Sequence, residues 1–495
     1  MSVDDKHVDF VGPPAPPLMG RKVGITATGL IGEIANFMIK DVPTHPDWCE
    51  SLAACLVGTI AGRGRYIINK FGMVNGNLFT IYVGASRLGF KTVPLKMATR
   101  PMLKAVSAIY NKEACLEFGI TPEEYNTRWW GNSNASQKEK NSNEWKLERA
   151  FLNKVRGRFI NVEMPESFTS EALASWLTTY PVGMICSDEF TSMVKGASKK
   201  DYMSTVMEVL SRLYDGEMEK KTTIARGIEE SDKIHVSFAS ATTPYVMTLM
   251  DETFFWQGTG NRILWIVDED VEKLDESDLI NMGFFYGMVE KVEQENEFNR
   301  LVNLLAGIRK LPDECVMLLT PDAAIELDKF RVVMYNQAAE LFAEDMMNRD
   351  SSFLAGMAQN AMKLALVHSI GRYAIDPEML NVGLMDIEIV DARWAIEKVM
   401  RHMHYYNKLW EISARVRKGA LESYKTDEER VISIITRFEK LGKRVTPNIL
   451  RQQTHWDRQK GQNLLDTMIM NGDIRLITEI IMGKPVNYYT CKKEF

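Results

Sequence analysis

At 495 residues, with 45% hydrophobic and 25% charged content, the chain is long enough for two or three domains around sizeable cores. A formal net charge of −6 excludes a uniformly basic nucleic-acid-coating protein but leaves room for a local basic patch. No apolar run is long enough to span a bilayer, the six cysteines form no CxxC pair, and MSVDDKHVDF has no charged-then-apolar leader. These features predict a cytoplasmic protein with reduced thiols, no zinc site and no membrane partner.

The first 20 residues include VGPPAPPLMG, whose prolines favour an extended tail. From Gly29 to Gly62 the apolar spacing predicts two helices broken by DVPTHPDW, which makes residues 1–70 a tail and leading helical segment. Leu78–Val83 then reads as a buried parallel strand. It runs into a loop with Gly84, Ala85, Ser86, Gly89 and Phe90, followed by Lys91, Thr92 and a helix-compatible segment. Strand, glycine loop, Lys-Thr and helix make the layout of a phosphate-binding loop, in which inward N–H groups and a helix N-terminus cradle phosphate oxygens. In that layout Lys91 adds charge to the outer phosphates and the Thr92 hydroxyl ligates Mg²⁺. Phe90 separates Gly89 from Lys91, so either the loop carries one extra residue or it does not hold phosphate in the usual way. An ordinary strand–turn–helix with a surface lysine is the competing reading.

Pro101 should kink or end the following helix. The stretch Thr121–Glu148 is Asn/Ser-rich and without period, which predicts an exposed insertion. Its Trp129, Trp130 and Trp145 are either base-stacking platforms or local packing. A helix opened by Thr169 or Ser170 precedes PVGMICSDEF, an apolar strand ending in Asp188 and Glu189. Carboxylates at a strand's C-terminal end suit a ligand crevice, with Asp188 holding Mg²⁺ through water and Glu189 polarising an attacking water. A solvated strand end is the bland alternative. IHVSFASATTP is another buried strand, whose Thr242 is a candidate to orient that water or read the γ-phosphate, or else part of a hydroxyl-rich turn. A helix is expected after Pro244, and WQGTGNRILWIV then enters a fourth strand. Arg262 there is either an arginine finger for a neighbouring subunit or an intrachain ion-pair partner. Strands alternating with helices over 71–270 predict a largely parallel α/β sheet.

From Glu269 to Lys418 the pattern is helical, with Thr320-Pro321 as a helix start. Lys363 sits on an otherwise apolar helix, either as a phosphate sensor or as a snorkelling lysine. His402 and His404 are two apart and do not share a helix face, which argues against a metal site. Residues 271–420 are therefore expected to form a helical lid. From 421 onward, three helices and a strand pair around MGKP predict a winged helix. Its third helix offers Arg458, Lys460 and Gln462 to DNA and its wing tip offers Lys484, or the same domain makes protein contacts.

The order GASRLGFKT, ESFTSEALASWL, GMICSDEF, LSRLYDGEMEK, ASATTP, GNRILWIV and KLALVHS, from Asn36 to Tyr405, resembles a large P-loop ATPase family, that of domain of unknown function 3987. Its members often occur in prophages, plasmids and other mobile elements, and it looks related to helicase-type AAA+ ATPases such as the minichromosome-maintenance proteins. The resemblance implies an AAA+/RecA-like core that binds ATP and Mg²⁺. It implies phosphate and Mg²⁺ contacts by Lys91 and Thr92, an acidic strand end at Asp188 and Glu189, and a finger at Arg262. In that family an Arg often stands where Phe90 stands here. The expectation is an ATP-hydrolysing, DNA-acting, helicase-like or replication-initiator-like protein that forms homo-oligomers, in rings. The alternatives are a non-hydrolysing DNA-binding scaffold with a degenerate loop, or an ATPase switch acting on protein partners.

Overall fold

A computed structural model describes residues 24–40, 44–70, 72–85, 90–165, 170–191, 193, 202–217, 221–223, 227–229, 234–248, 258–268, 288–310, 315–345, 348–376, 385–422, 427–440, 444–454, 458–481 and 484–491. The chain divides into two compact units, with the boundary between Trp410 and Glu411.

In the first unit, α1 (Gly29–Ile39) and α2 (Pro46–Ala61) lead into a hairpin of β1 (Arg65–Asn69) and β2 (Gly72–Asn75). β3 (Phe79–Gly84) follows, and after its loop a helix opens at Val93 and continues as α3 (Arg100–Glu117). Next come α4 (Pro122–Ser133), α5 (Gln137–Lys140), α6 (Asn143–Arg156), β4 (Glu163–Met164), α7 (Ser170–Thr179), β5 (Val182–Ser187) and α8 (Tyr202–Asp215). A small hairpin, β6 (Lys221–Thr223) and β7 (Gly227–Glu229), precedes β8 (His235–Thr242) and β9 (Ile263–Asp268). The unit is completed by α9 (Met288–Gly307), β10 (Cys315–Leu319), α10 (Pro321–Glu344), α11 (Arg349–Ala374), β11 (Met385–Ile387) and the start of α12 (Ile389–Glu422).

Five strands form an all-parallel sheet in the order β4-β5-β8-β3-β9. β3, β8 and β9 are buried along their whole length, which is why they read as unbroken apolar runs. This is the α/β core that the alternating pattern predicts, and it is compatible with a P-loop-like architecture. α2 lies across β5, β8 and β3, and every one of its residues is buried. A Cβ at Gly58 would come within 2.2 Å of the Gly76 carbonyl oxygen, so glycine there lets α2 approach the chain that enters β3.

Two charged residues on that buried helix are paired. Asp47 meets Lys398 and, at 2.9 Å, Arg401; Glu50 meets Lys398 and accepts from Ala27 N at 2.7 Å. The Tyr405 hydroxyl donates to Asp47 at 2.6 Å. Burial works to raise the Asp47 carboxyl, but Lys398, His45 and Arg401 outweigh it and hold it far below the usual carboxylate range. Beside this cluster, Asp391 accepts from Arg372 at 2.7 Å and contacts His368 Nδ1 at 2.6 Å.

A second sheet, β11-β10-β1-β2, joins the hairpin after α2 to strands from 315–319 and 385–387. The region expected to be wholly helical therefore contributes two strands. Both are short and flanked by long helical patterns, so their periodicity is masked.

The polar stretch expected as an exposed, aperiodic insertion is helical. Thr121 and Glu124 form a capping box that opens α4, and Ser142 caps α6. The Arg128 guanidinium binds Glu148 through two nitrogens, at 2.7 and 2.8 Å. Trp129 stacks on Tyr125 at 5.8 Å with the Arg149 guanidinium 3.9 Å from its ring centroid. Trp145 donates to the Asn132 carbonyl at 2.9 Å. Trp129 and Trp145 thus pack this helical pair, while Trp130 is exposed.

Pro101 neither ends its helix nor leaves it regular. The turn before it, Leu95–Thr99, widens to π-helical spacing, and the Thr99 hydroxyl donates to the Pro94 carbonyl at 3.1 Å. A proline that cannot donate to the residue four positions back is accommodated by that wider turn. After Pro244 the described chain forms a 3₁₀ turn, Pro244–Thr248. Among the described residues no helix is long and apolar enough to cross a membrane.

The second unit holds α13 (Asp427–Lys440), α14 (Pro447–Thr454), α15 (Arg458–Met470) and an antiparallel hairpin of β12 (Ile474–Ile481) and β13 (Lys484–Cys491). Val445 bridges to Tyr489, and Val431, Ile435, Met468 and Ile474 lie in its core. This is the expected succession of three helices and a strand pair.

Candidate functional site

The sheet order fixes where a crevice must open. The chain leaving β3 goes to β4 at one edge, whereas the chain leaving β8 goes past β3 to β9 at the other. With right-handed crossovers these two connections run over opposite faces, so the C-terminal ends of β3 and β8 part at a topological switch point. Gly84, Thr242 and, on the next strand, the Asp188-Glu189 pair stand at these ends. A Cβ at Gly84 would strike the Tyr82 ring at 2.6 Å, so the strand ends on a residue without one.

Lys91 comes to this crevice. Its ammonium lies 3.6 Å from Glu189 Oε2, beyond hydrogen-bond length, and it is 8% exposed. Lys91 Nζ is buried with no hydrogen-bond partner. Burial pulls its pKa below the ordinary lysine value, opposed by the Glu189 charge. Glu189 Oε1 accepts from the Thr242 hydroxyl at 2.9 Å and the Thr191 N–H at 3.3 Å. The Thr191 and Thr242 hydroxyls are 2.7 Å apart. Burial works to raise the Glu189 carboxyl, but the hydrogen bonds from Thr191 and Thr242 and the Lys91 charge hold it below its ordinary value. Glu189 is therefore an oriented carboxylate with one oxygen tied to the Thr242 hydroxyl and the Thr191 N–H and the other turned to the lysine.

The two acids have different surroundings. Asp188 faces the helix that follows the loop: Oδ2 meets Lys96 at 2.8 Å and Oδ1 meets Arg100 at 3.0 Å. Arg100 also donates to the Cys186 carbonyl at 2.9 Å. Both oxygens of Asp188 are thus engaged by cations.

The backbone around Lys91 is specialised. Phe90 has φ 46° and is the one described non-glycine residue with positive φ. The Val93 N–H turns back to the Phe90 carbonyl at 3.0 Å, and the Lys96 N–H bonds to the Thr92 carbonyl at 3.0 Å, so Thr92 sits at the helix start. The Lys91 carbonyl accepts from the Trp48 indole N–H at 3.0 Å. Trp48 packs on Tyr82 with centroids 5.5 Å apart, and the Tyr82 hydroxyl donates to Asp268 at the end of β9. Ala85, Phe90 and Thr92 lie along this turn; Ser86 and Gly89 lie outside the described residues.

Arg262 is elsewhere. β9 runs parallel to β3 with Ile263 opposite Phe79 and Asp268 opposite Gly84, so Arg262 stands at the N-terminal edge of the sheet. Five residues of strand separate the two edges by about 17 Å. Arg262 pairs with Asp215 at 2.8 Å and donates to the Gly258 carbonyl at 3.0 Å. Lys363 is neither a phosphate sensor nor a snorkelling side chain: it is 2% exposed and donates to the Asn77 side chain at 2.8 Å and the Tyr214 carbonyl at 3.2 Å. Its pKa is drawn down to about 7, chiefly by burial. In the second unit Gln462 donates to Asp466 on its own helix at 2.8 Å. The side chains of Arg458, Lys460 and Lys484 lie outside the described residues.

Four residues at the site have no role in the sequence reading. Thr191 stands two positions beyond Glu189 and was open to notice. Lys96 and Arg100 carry an i, i+4 signal without a visible partner, and nothing in the sequence ties Trp48 to a loop 43 positions away. No protein-family model and no curated protein matches the chain.

Proposed function

We propose that the chain is an ATP-binding and ATP-hydrolysing P-loop ATPase of AAA+/RecA-like type. One observation carries this reading: a buried lysine ammonium without a hydrogen-bond partner, at a switch-point crevice, beside an oriented glutamate. A buried ammonium that makes no hydrogen bond is costly even beside a carboxylate, and a phosphate is a ligand that would relieve it. In this reading Lys91 meets the outer phosphates and Gly84, Ala85, Ser86, Gly89, Phe90 and Thr92 form the cradle. Glu189, steered by Thr191 and Thr242, polarises the attacking water. Thr92, and Asp188 through water, are the residues that would hold Mg²⁺, which would supply positive charge to offset that of the phosphates.

Arg262 stands too far from its own crevice to serve it, so a finger role requires a second subunit, which fits a ring-forming homo-oligomer. The second unit is proposed as a winged helix that engages DNA through Arg458, Lys460, Gln462 and Lys484, making the whole a helicase-like or replication-initiator-like protein of a mobile element. A second reading, action on protein partners, is favoured by the apolar side chains of Met470 and Leu476, which are 82% and 44% exposed.

ATP binding and hydrolysis by the wild type, Lys91→Met and Glu189→Gln test the proposal. Lys91→Met should abolish binding. Glu189→Gln should keep binding and lower the turnover rate by about 10²–10⁴-fold. A wild type that hydrolyses no ATP, with or without DNA, would sink the enzyme reading. Stimulation by DNA that disappears on deleting residues 427–495 separates the DNA reading from the protein-partner reading.

A further inference from the structure

Helix α10 packs against α11 and buries Leu327, Phe330, Met334 and Ala338. Its other face is apolar too: Ile325, Val332, Tyr335 and Phe342 are 53%, 47%, 68% and 48% exposed. They stand at intervals of seven, three and seven residues, so they form one stripe along about 26 Å of helix. Single exposed apolar side chains are ordinary, but four at this spacing are the pattern of a helix that packs on another helix. The intervals read the same in both directions, and a two-fold contact needs a surface that complements itself. Laid antiparallel on a second copy, Ile325 stands opposite Phe342 of that copy, and Val332 opposite its Tyr335. Charge selects this orientation over the parallel one. Asp328 lies on the stripe and is exposed. A parallel, in-register pair would set it against its own counterpart, like charge on like. The antiparallel pair sets it against Ala339 and brings the exposed Lys329 within one turn of the exposed Glu340 of the second copy. Beside the centre of the stripe a cavity of about 660 Å³ is lined by Met73 and Val74 of β2, Val332 and Tyr335 of α10, and Met362 of α11. The surface thus offers a protruding aromatic ring and, next to it, a hole, which is what each half of a self-complementary contact requires.

We propose that α10 is a two-fold self-association surface: a second copy of the chain lies antiparallel on the stripe, and each Tyr335 enters the cavity beside the other copy's Val332. The contact is isologous and closes at two copies. It is therefore distinct from the head-to-tail contact that a ring through Arg262 would use, and it does not depend on the phosphate reading of Lys91.

Engineered cysteines read the register. Full-length Ile325→Cys and Phe342→Cys, mixed in equal amounts and oxidised with copper phenanthroline, should form a disulfide-linked dimer on non-reducing gels. Either variant oxidised alone should look like the wild type, because like positions lie about 26 Å apart in the antiparallel pair and a disulfide spans less than about 7 Å between Cα atoms. Sedimentation should give the wild type twice the subunit number of Tyr335→Glu, with circular dichroism to show that this variant, changed at a side chain that is 68% exposed, is folded. Cross-linking of either single variant with itself beyond the wild-type level would mean parallel pairing and overturn the proposal. A mixture that does not cross-link, or equal subunit numbers for wild type and Tyr335→Glu, would overturn it as well.

Discussion

Trp48 illustrates how single residues work in this protein. Its ring fills the space beside Tyr82 and its one polar atom satisfies the carbonyl of Lys91. Trp48→Phe keeps most of the first contribution and removes the second, leaving a buried carbonyl without its donor. The expected cost is about 1–3 kcal/mol of stability, read from denaturant melts. ATP affinity should fall as well, because the turn at Phe90 and Lys91 is no longer held. An unchanged midpoint and affinity would show that the indole N–H is dispensable. The acids at 188 and 189 and the lysine at 91 could be found in the sequence because carboxylates ending an apolar strand and a lysine after a glycine loop are local patterns. Their division of labour could not be found there. Asp188 and Glu189 differ through Lys96, Arg100, Thr191 and Thr242, and only Thr191 is near in sequence.

At the scale of elements, α2 and α12 are joined by buried charge. Lys398 is shared by Asp47 and Glu50, and both acids depend on it. Lys398→Met should therefore destabilise the protein by about 3–5 kcal/mol, since two carboxylates lose their buried counter-ion. Urea unfolding would read this, and a loss below about 1 kcal/mol would mean that Arg401 alone suffices. Strands β3, β5, β8 and β9 were visible as apolar runs because burial on both faces removes alternation. α4 and α6 were not visible, because their packing rests on Trp129 between Tyr125 and arginines rather than on an aliphatic stripe. A lysine on a helical pattern also reads as solvated until its partner, far away in the chain, is known. That is why Lys363 and Lys398 were hidden.

For the molecule as a whole, two buried histidines tie stability to acidity. His235 lies 2.9 Å from the Gly58 carbonyl and His402 lies 2.7 Å from the Trp265 carbonyl. Burial lowers both to about 4, against 6.5 for an unperturbed imidazole. Between these values the unfolded chain binds more protons than the folded one, so stability falls as pH drops from 6.5 towards 4. His402→Gln retains a donor for the Trp265 carbonyl and removes one titrating group. Its stability should decline less steeply over that interval than the wild type's, and parallel curves would exclude His402 as a contributor.

The pairing of α2 with α12 also sets an order of events during synthesis. The helix that underlies the central sheet emerges first, yet the cation it needs is made some 350 positions later, at Lys398. Until then Asp47 and Glu50 cannot be desolvated, and the sheet lacks a finished floor. A fragment ending at residue 380 should thus be recovered as aggregate or chaperone-bound chain, whereas one ending at 422 should stay monodisperse and resist limited proteolysis.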